Sequence, residues 1–243
     1  MSREHTSREG FRYRGGENTR IEAFTDAAFA FAVTLLMIGS GHVPATIPEL
    51  LDALRQIPAY AASFALLCLF WYAHYKWYRR YGAEDGRSIL LSLVLVFLVL
   101  IYVYPLHMMF SAALPVGVAS DGPPASVGFR IRAWSDWQTM YVVFGVAYAS
   151  MSVVMLLFYL HARRLRDELG LDAVERVLTD GGAMRWSVST GVGLFSVLLA
   201  IVMAPGASSL LQVLPGFAYW LIALSNPVLR RWQRRRIEAA TSS

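Results

Sequence analysis

Residues 20–38 read RIEAFTDAAFAFAVTLLMI, which places an arginine, an aspartate and a run of small and apolar residues in one candidate helix. A carboxylate inside a hydrophobic span costs about 2.5–3.5 kcal/mol on insertion scales, a cost seldom kept without a role, so Asp26 is the first residue to explain. Around this segment the chain is 56% hydrophobic and only 16% charged over 243 residues. That balance belongs to an integral membrane protein. Several apolar stretches reach the roughly 20 residues that a helix needs to cross a hydrocarbon core, and none alternates in the manner of a membrane barrel. The expected fold is an all-α integral membrane protein with six transmembrane helices: Ile21–Gly41, Tyr60–Tyr78, Ser88–Ser111, Trp137–His161, Arg185–Ala204 and Ser209–Leu229. The sixth is the shortest apolar run and is interrupted by Pro215 and Pro227. A basic segment, 1–20, precedes this 21–229 domain and a basic tail, 230–243, follows it.

Nineteen of the 22 Lys and Arg residues fall before span one, between spans two and three, between four and five, or after six; the other side receives Arg55, Arg130 and Arg132. The positive-inside rule then makes both termini cytoplasmic and requires an even number of crossings. The basic charge is an orientation signal, and no nucleic-acid-binding motif accompanies it. The default role of the RRWQRRR tail is anchoring to anionic headgroups. The charged lead and the long apolar run after it do not fit a cleaved signal peptide, so span one is expected to stay. A lone cysteine, Cys68, gives no support to an intramolecular disulfide or a multi-cysteine metal site. No cofactor is expected.

The segments between spans differ. HVPATIPELLDALRQIP carries Leu50, Leu51, Leu54 and Ile57 at helical spacing and predicts a short amphipathic helix on the outer surface. LPVGVASDGPPASVGF predicts an irregular outer loop. RRLRDELGLDAVERVLTDGG predicts one or two solvated amphipathic helices ended by Gly181 and Gly182. Phe70, Trp71, Tyr72, Tyr75, Trp77, Tyr78 and Tyr81 collect at one end of span two and, Trp71 apart, read first as an interfacial aromatic belt.

At 100° per residue, Phe24, Ala27, Phe31, Leu35 and Ile38 lie within about 40° of a common line, with Thr34 on its margin and Asp26 about 140° from Phe31. Such a seam either faces lipid or a packed core, or converges from several copies on an axis and forms a hydrophobic constriction. Ala23, Ala27, Ala28, Ala30 and Ala32 favour the second, because small residues mark a helix packed by protein on several sides. Asp26 is then expected to point toward neighbouring helices, with His74 and Arg20 as candidate partners and Trp71 and Tyr75 on the face of His74.

Arg20, Phe24, Thr25 and Asp26 resemble the R-x-x-x-F-S-D pattern of the transmembrane protein 175 potassium channels. Pro58, Tyr60, Ser63, Phe64, Phe70, Trp71 and His74 extend the resemblance through span two, and VYPL at 103–106 does so weakly in span three. It implies a homotetramer of six-span subunits whose first helices line a central pore. It also implies a cation leak path with modest preference for potassium over sodium and no T-V-G-Y-G filter. Phe31, Thr34, Leu35 and Ile38 take the pore-lining positions, and Arg20, Thr25, Asp26, Trp71 and His74 those of an inter-helix polar network. Potassium ions, the lipid bilayer and further copies of the chain are the implied partners, in a bacterial or archaeal cell membrane. Thr25 stands for the usual serine, Phe31 for an aliphatic residue, Tyr75 for a second histidine and Ser92 for a common asparagine. The competing reading is a proton-coupled secondary transporter using Asp26 and His74, although no internal repeat supports it. An intramembrane enzyme is disfavoured, since no nucleophile or metal motif is present.

Overall fold

A computed structural model describes residues 10–16, 18–38, 45–114, 134–203 and 209–241. Among them are nine α-helices: α1 (Arg20–Ile38), α2 (Ile47–Arg55), α3 (Ile57–Tyr81), α4 (Gly86–Ala113), α5 (Trp134–Arg164), α6 (Ala173–Val202), α7 (Ser209–Gln212), α8 (Leu214–Phe217) and α9 (Trp220–Thr241). The irregular outer loop expected from LPVGVASDGPPASVGF lies, but for Leu114, outside the described residues, as do the ends of spans one and five.

Among the described residues four helices, α3, α4, α5 and α6, are long and apolar enough to cross a membrane. The α5–α6 hairpin is the most extensive packing unit; α4 lies against α5, α1 against both α4 and α3, and α9 against α6. Helix α1 has 19 residues, so its rise of 1.5 Å per residue gives a length of about 28 Å. A reciprocal cap starts it: the Thr19 amide donates to Glu22 Oε2 at 2.9 Å and the Glu22 amide to Thr19 Oγ1 at 3.2 Å. The amphipathic helix expected after span one is present as α2, begun by Thr46 and joined to α3 through Gln56, with Leu50, Leu51 and Leu54 exposed. Helix α3 ends at Gly82, whose positive φ of 58° supplies the left-handed cap that a side chain would strain.

Three expectations are corrected. The segment 209–229 is not one continuous helix: it comprises the short α7 and α8 and then α9, which begins at Trp220 and carries Pro227 inside it. A proline in a helix interior removes one hydrogen bond yet can be tolerated, and here the helix runs on through the basic tail to Thr241. Gly181 and Gly182 do not end a helix but lie buried inside α6. A Cβ on Gly181 would strike the Gln233 side chain of α9, and one on Gly182 the Tyr159 ring of α5. Their missing side chains are what let three helices meet. Finally, the aromatics of α3 are mostly core: Phe70, Trp77, Tyr78 and Tyr81 are no more than 1% exposed, whereas Tyr72 and Tyr75 are exposed. The Trp77 ring lies tilted against that of Phe158, with centroids 4.7 Å apart, and donates from Nε1 to the Phe158 carbonyl at 3.0 Å, because α5 covers this end of α3.

Candidate functional site: the first helix and its anchors

Helix α1 is buried on one side only. Glu22, Thr25, Phe29, Ala32 and Leu36 are buried against the bundle, with Thr25 Oγ1 donating to the Ile21 carbonyl at 2.8 Å. Ala23, Phe24, Ala27, Ala30, Phe31, Thr34 and Met37 are exposed and sweep an arc of about 160° with Arg20 and Asp26. Of the four pore-lining candidates, Phe31 (55% exposed) and Thr34 stand on the open face, and Thr34 Oγ1 donates to the Ala30 carbonyl at 3.1 Å. Leu35 sits at the margin, half-buried against the core. Ile38 ends the helix, and its side chain lies outside the described residues.

Asp26 is on the opposite margin of the open face. Its Oδ1 accepts a hydrogen bond of 2.8 Å from Trp71 Nε1 of α3, so an indole and not the imidazole holds the carboxylate. A cavity of about 280 Å³ adjoins this bond between α1 and α3, lined by Phe29, Ala30, Val33, Leu67 and Cys68. The expected Asp26–His74 contact is not made. His74, 1% exposed, turns toward α4 and pairs through Nε2 with Ser92 Oγ at 3.0 Å. Ser92 gives its own hydrogen to the Ser88 carbonyl at 2.9 Å and therefore accepts from both His74 Nε2 and the Tyr78 hydroxyl, also 3.0 Å away. Arg20 is exposed and has no hydrogen-bond or ion-pair partner among the described residues. The five network candidates thus divide into a Trp71–Asp26 link from α3 to α1 and a His74–Ser92–Tyr78 link from α3 to α4, with Thr25 bonded within its own helix and Arg20 in neither link.

A further anchor precedes α1. Phe11 is fully buried, edge-on to Tyr81 at 5.4 Å, with the Arg80 guanidinium 4.9 Å from its ring centre. Glu175, whose side chain is 0% exposed near the start of α6, accepts from Arg12 Nη2 at 3.1 Å and Arg14 Nη2 at 2.6 Å, and also from the Arg12 amide at 2.9 Å. It completes a capping box with Asp172. The Gly15 amide donates to the Arg79 carbonyl at 3.3 Å, tying the segment to α3 as well. Sequence reading counted Arg12 and Arg14 only as orientation charges. The D-x-x-E box at 172–175 was legible, but its arginine partners lie more than 160 residues away in the chain.

Among the described residues no three His, Cys, Asp or Glu side chains gather as a metal site. The arrangement offers an apolar, alanine-rich open face on a helix clamped along its back and at its start, beside a carboxylate held in place.

The family model for the endosomal/lysosomal potassium channel TMEM175 matches residues 20–105, the stretch that contains α1, the Asp26–Trp71 link and Ser92. A protein of Marivirga tractuosa described as a potassium channel is 30% identical over 213 residues, covering 87% of this chain and 85% of its own. This chain belongs to the TMEM175 family. It is also similar in structure to the potassium channel MtTMEM175, solved as a single-substitution variant with a nanobody–MBP fusion protein. The TM-score is 0.77 at 26% identity, over 96% of this chain and all of that one. A homologue, from Chamaesiphon minutus, of the lysosomal potassium-selective channel TMEM175 shares the fold at a TM-score of 0.54 and 20% identity, over 86% of this chain and 96% of that one. As a TMEM175 member the chain is a multi-pass membrane protein and not an enzyme.

Proposed function

We propose that this protein is a potassium channel of a prokaryotic membrane, in which four copies bring their α1 helices to an axis and Phe31, Thr34, Leu35 and Ile38 form an apolar constriction. Family membership supports potassium conduction as the general activity. The observation that carries the finer reading is the open face of α1: a helix fixed from behind by α3 and α4 presents alanines, two phenylalanines and Thr34 outward. Under this reading α1 is a fifth crossing, the broken 209–229 segment contributes the sixth, and both termini are cytoplasmic.

Potassium gives up part of its hydration shell at lower cost than sodium, so a ring of apolar side chains passes it more readily, with modest selectivity. The Thr34 hydroxyl, already donating to Ala30, keeps lone pairs free toward a passing cation. The proton-coupled alternative uses Asp26 and His74 to relay protons, and the two are engaged apart, Asp26 with Trp71 and His74 with Ser92. The deciding experiment is cation flux into vesicles holding purified protein, comparing potassium, sodium and a large organic cation. Leu35→Ala and Phe31→Ala are expected to raise flux and relax the potassium preference. Unchanged flux and selectivity in both variants removes the constriction from this helix, and saturable uptake driven by a proton gradient replaces the channel with a transporter.

A further inference from the structure

Helix α9 has one face that changes character along its length. At 100° per residue, Trp220, Leu224 and Val228 fall within about 80° of one another, and all three are exposed, at 66, 67 and 65%. The same face continues as Arg231, Arg234 and Arg235, flanked by Arg230, and these four are exposed too. The other side of the helix is packed: Leu229 is buried and Gln233 sits over Gly181 of α6. An outward apolar stripe therefore runs without a break in the helix into an outward stripe of guanidinium groups.

Depth fits this change. From Val228 to Arg235 the helix rises about 10 Å, with Arg230 and Arg231 in the first 3–5 Å. The headgroup layer on each side of the hydrocarbon is about 5–7 Å thick, and an arginine side chain can reach back toward it. Charge fits as well. Arg12 and Arg14 are paired with Glu175, Arg163 with Asp180, and Arg166 and Arg176 with Asp167. Among the described residues Arg230, Arg231, Arg234 and Arg235 make no ion pair. Arg236 is turned to the Trp232 ring, 5.7 Å from its centre, and Glu238 lies on the arginine arc one turn further from the apolar stripe.

We propose that this arginine stripe is a binding face for the headgroups of anionic phospholipids, whose acyl chains lie along Trp220, Leu224 and Val228. Guanidinium groups grip phosphate oxygens in pairs, so the face selects lipid phosphates by charge and geometry together. The proposal requires α9 to border the bilayer but not that α1 lines a pore, so flux and lipid binding can fail separately.

Native mass spectrometry of the purified full chain, titrated with phosphatidylglycerol or phosphatidylcholine, tests it. Wild type is expected to retain phosphatidylglycerol preferentially. R231Q and R235Q are each expected to weaken that binding about five-fold, and the quadruple Gln variant to abolish the preference. The four Arg→Lys replacements should keep most of the charge preference and lose part of the affinity. All four side chains project away from the packed side, so the single variants carry the test even if the quadruple one aggregates. Equal retention of the two lipids by wild type, or unchanged retention by both single variants, overturns the proposal. So does displacement of the lipid by millimolar inorganic phosphate, or tighter binding of an acidic peptide or oligonucleotide, because either means that the face reads charge alone.

Discussion

Ser92 shows how much one small side chain can hold in this bundle. Its Oγ is the shared acceptor for His74 and Tyr78, both buried, so Ser92→Ala strands two polar groups away from water. A buried group left unsatisfied costs about 1–3 kcal/mol, and S92A is expected to lower the stability of the solubilised protein by about 2–3 kcal/mol in denaturant unfolding. S92N, which offers a carbonyl oxygen, should recover part of the loss. Asp26 is the contrasting case, because it is exposed and held by a single bond from Trp71. A double-mutant cycle with D26N and W71F is expected to give a coupling of about 1 kcal/mol; additive losses would mean that the two side chains do not interact in solution. Asp26 and Trp71 could be picked from the sequence because a carboxylate in an apolar helix demands a partner. Which donor meets it could not, since Trp71 and His74 are three residues apart on one helix and only packing decides which faces α1 and which α4. Ser92 carried no such signal, as a serine in an apolar helix is usually content with its own i−4 carbonyl.

Among the elements, the segment 10–16 does the most with the fewest residues. Phe11→Ala empties a fully buried ring site, a change that costs about 3–5 kcal/mol where surroundings cannot collapse. Glu175→Gln leaves two guanidinium groups facing a neutral amide, a smaller loss than breaking a fully buried pair because both arginines keep some contact with solvent. Both variants should expose Arg12 and Arg14, so limited trypsin digestion is expected to cut there several-fold faster than in wild type, before the helical bundle is attacked. An unchanged digestion pattern in both would show that the segment is held by other contacts. A second joint ties the start of α4 to the end of α5. Burial works to raise the Asp85 carboxyl, but hydrogen bonds from Ser88 Oγ at 2.6 Å and His161 Nε2 at 2.9 Å, attraction to His161 and the Arg87 amide outweigh it and hold the pKa at about 2. A value depressed below the unfolded one near 4 means stability that is present above about pH 4 and is lost as pH falls toward 2. Asp85→Asn is therefore expected to melt below wild type at neutral pH, with the gap closing across that window; a constant gap would assign the effect to packing. The elements themselves were largely legible: α2, α3, α4 and α5 follow from apolar runs bounded by Pro, Gly and charge. The failures came where local rules met long-range packing. Gly181–Gly182 reads as a helix stop, yet close approach of Gln233 and Tyr159 makes glycine the residue that fits inside α6. The arginines after Leu229 read as a tail, yet arginine is a good helix former and α9 simply continues through them.

At the scale of the whole molecule, the open face of α1 is the surface that a single copy leaves unexplained. Phe24, Phe31 and Met37 are 52, 55 and 60% exposed, between alanines and beside Asp26 and Arg20. A lipid-facing helix gains from bulky apolar side chains, such as the exposed Leu90, Leu93 and Phe97 of α4, the last 62% exposed. Alanines on α1 would forfeit that contact, and a carboxylate at the edge of the face would meet hydrocarbon. Both features suit close approach of a second helix and a wet axis. Cys68 is the only cysteine in the sequence, so a Cys68→Ala background makes disulfide trapping specific. Adding Phe31→Cys there is expected to give oxidant-dependent dimers in membranes, because the proposed four-fold axis would bring equivalent positions within reach across a narrow path, whereas Phe97→Cys, on the exposed face of α4, should remain monomeric. The pair of positions separates the two arrangements directly. Dimers through position 97 with none through position 31 would move the symmetry axis to α4 and leave the alanine face of α1 against lipid, whereas the expected pattern makes the same helix that the sequence marks by its aspartate the one around which the copies assemble.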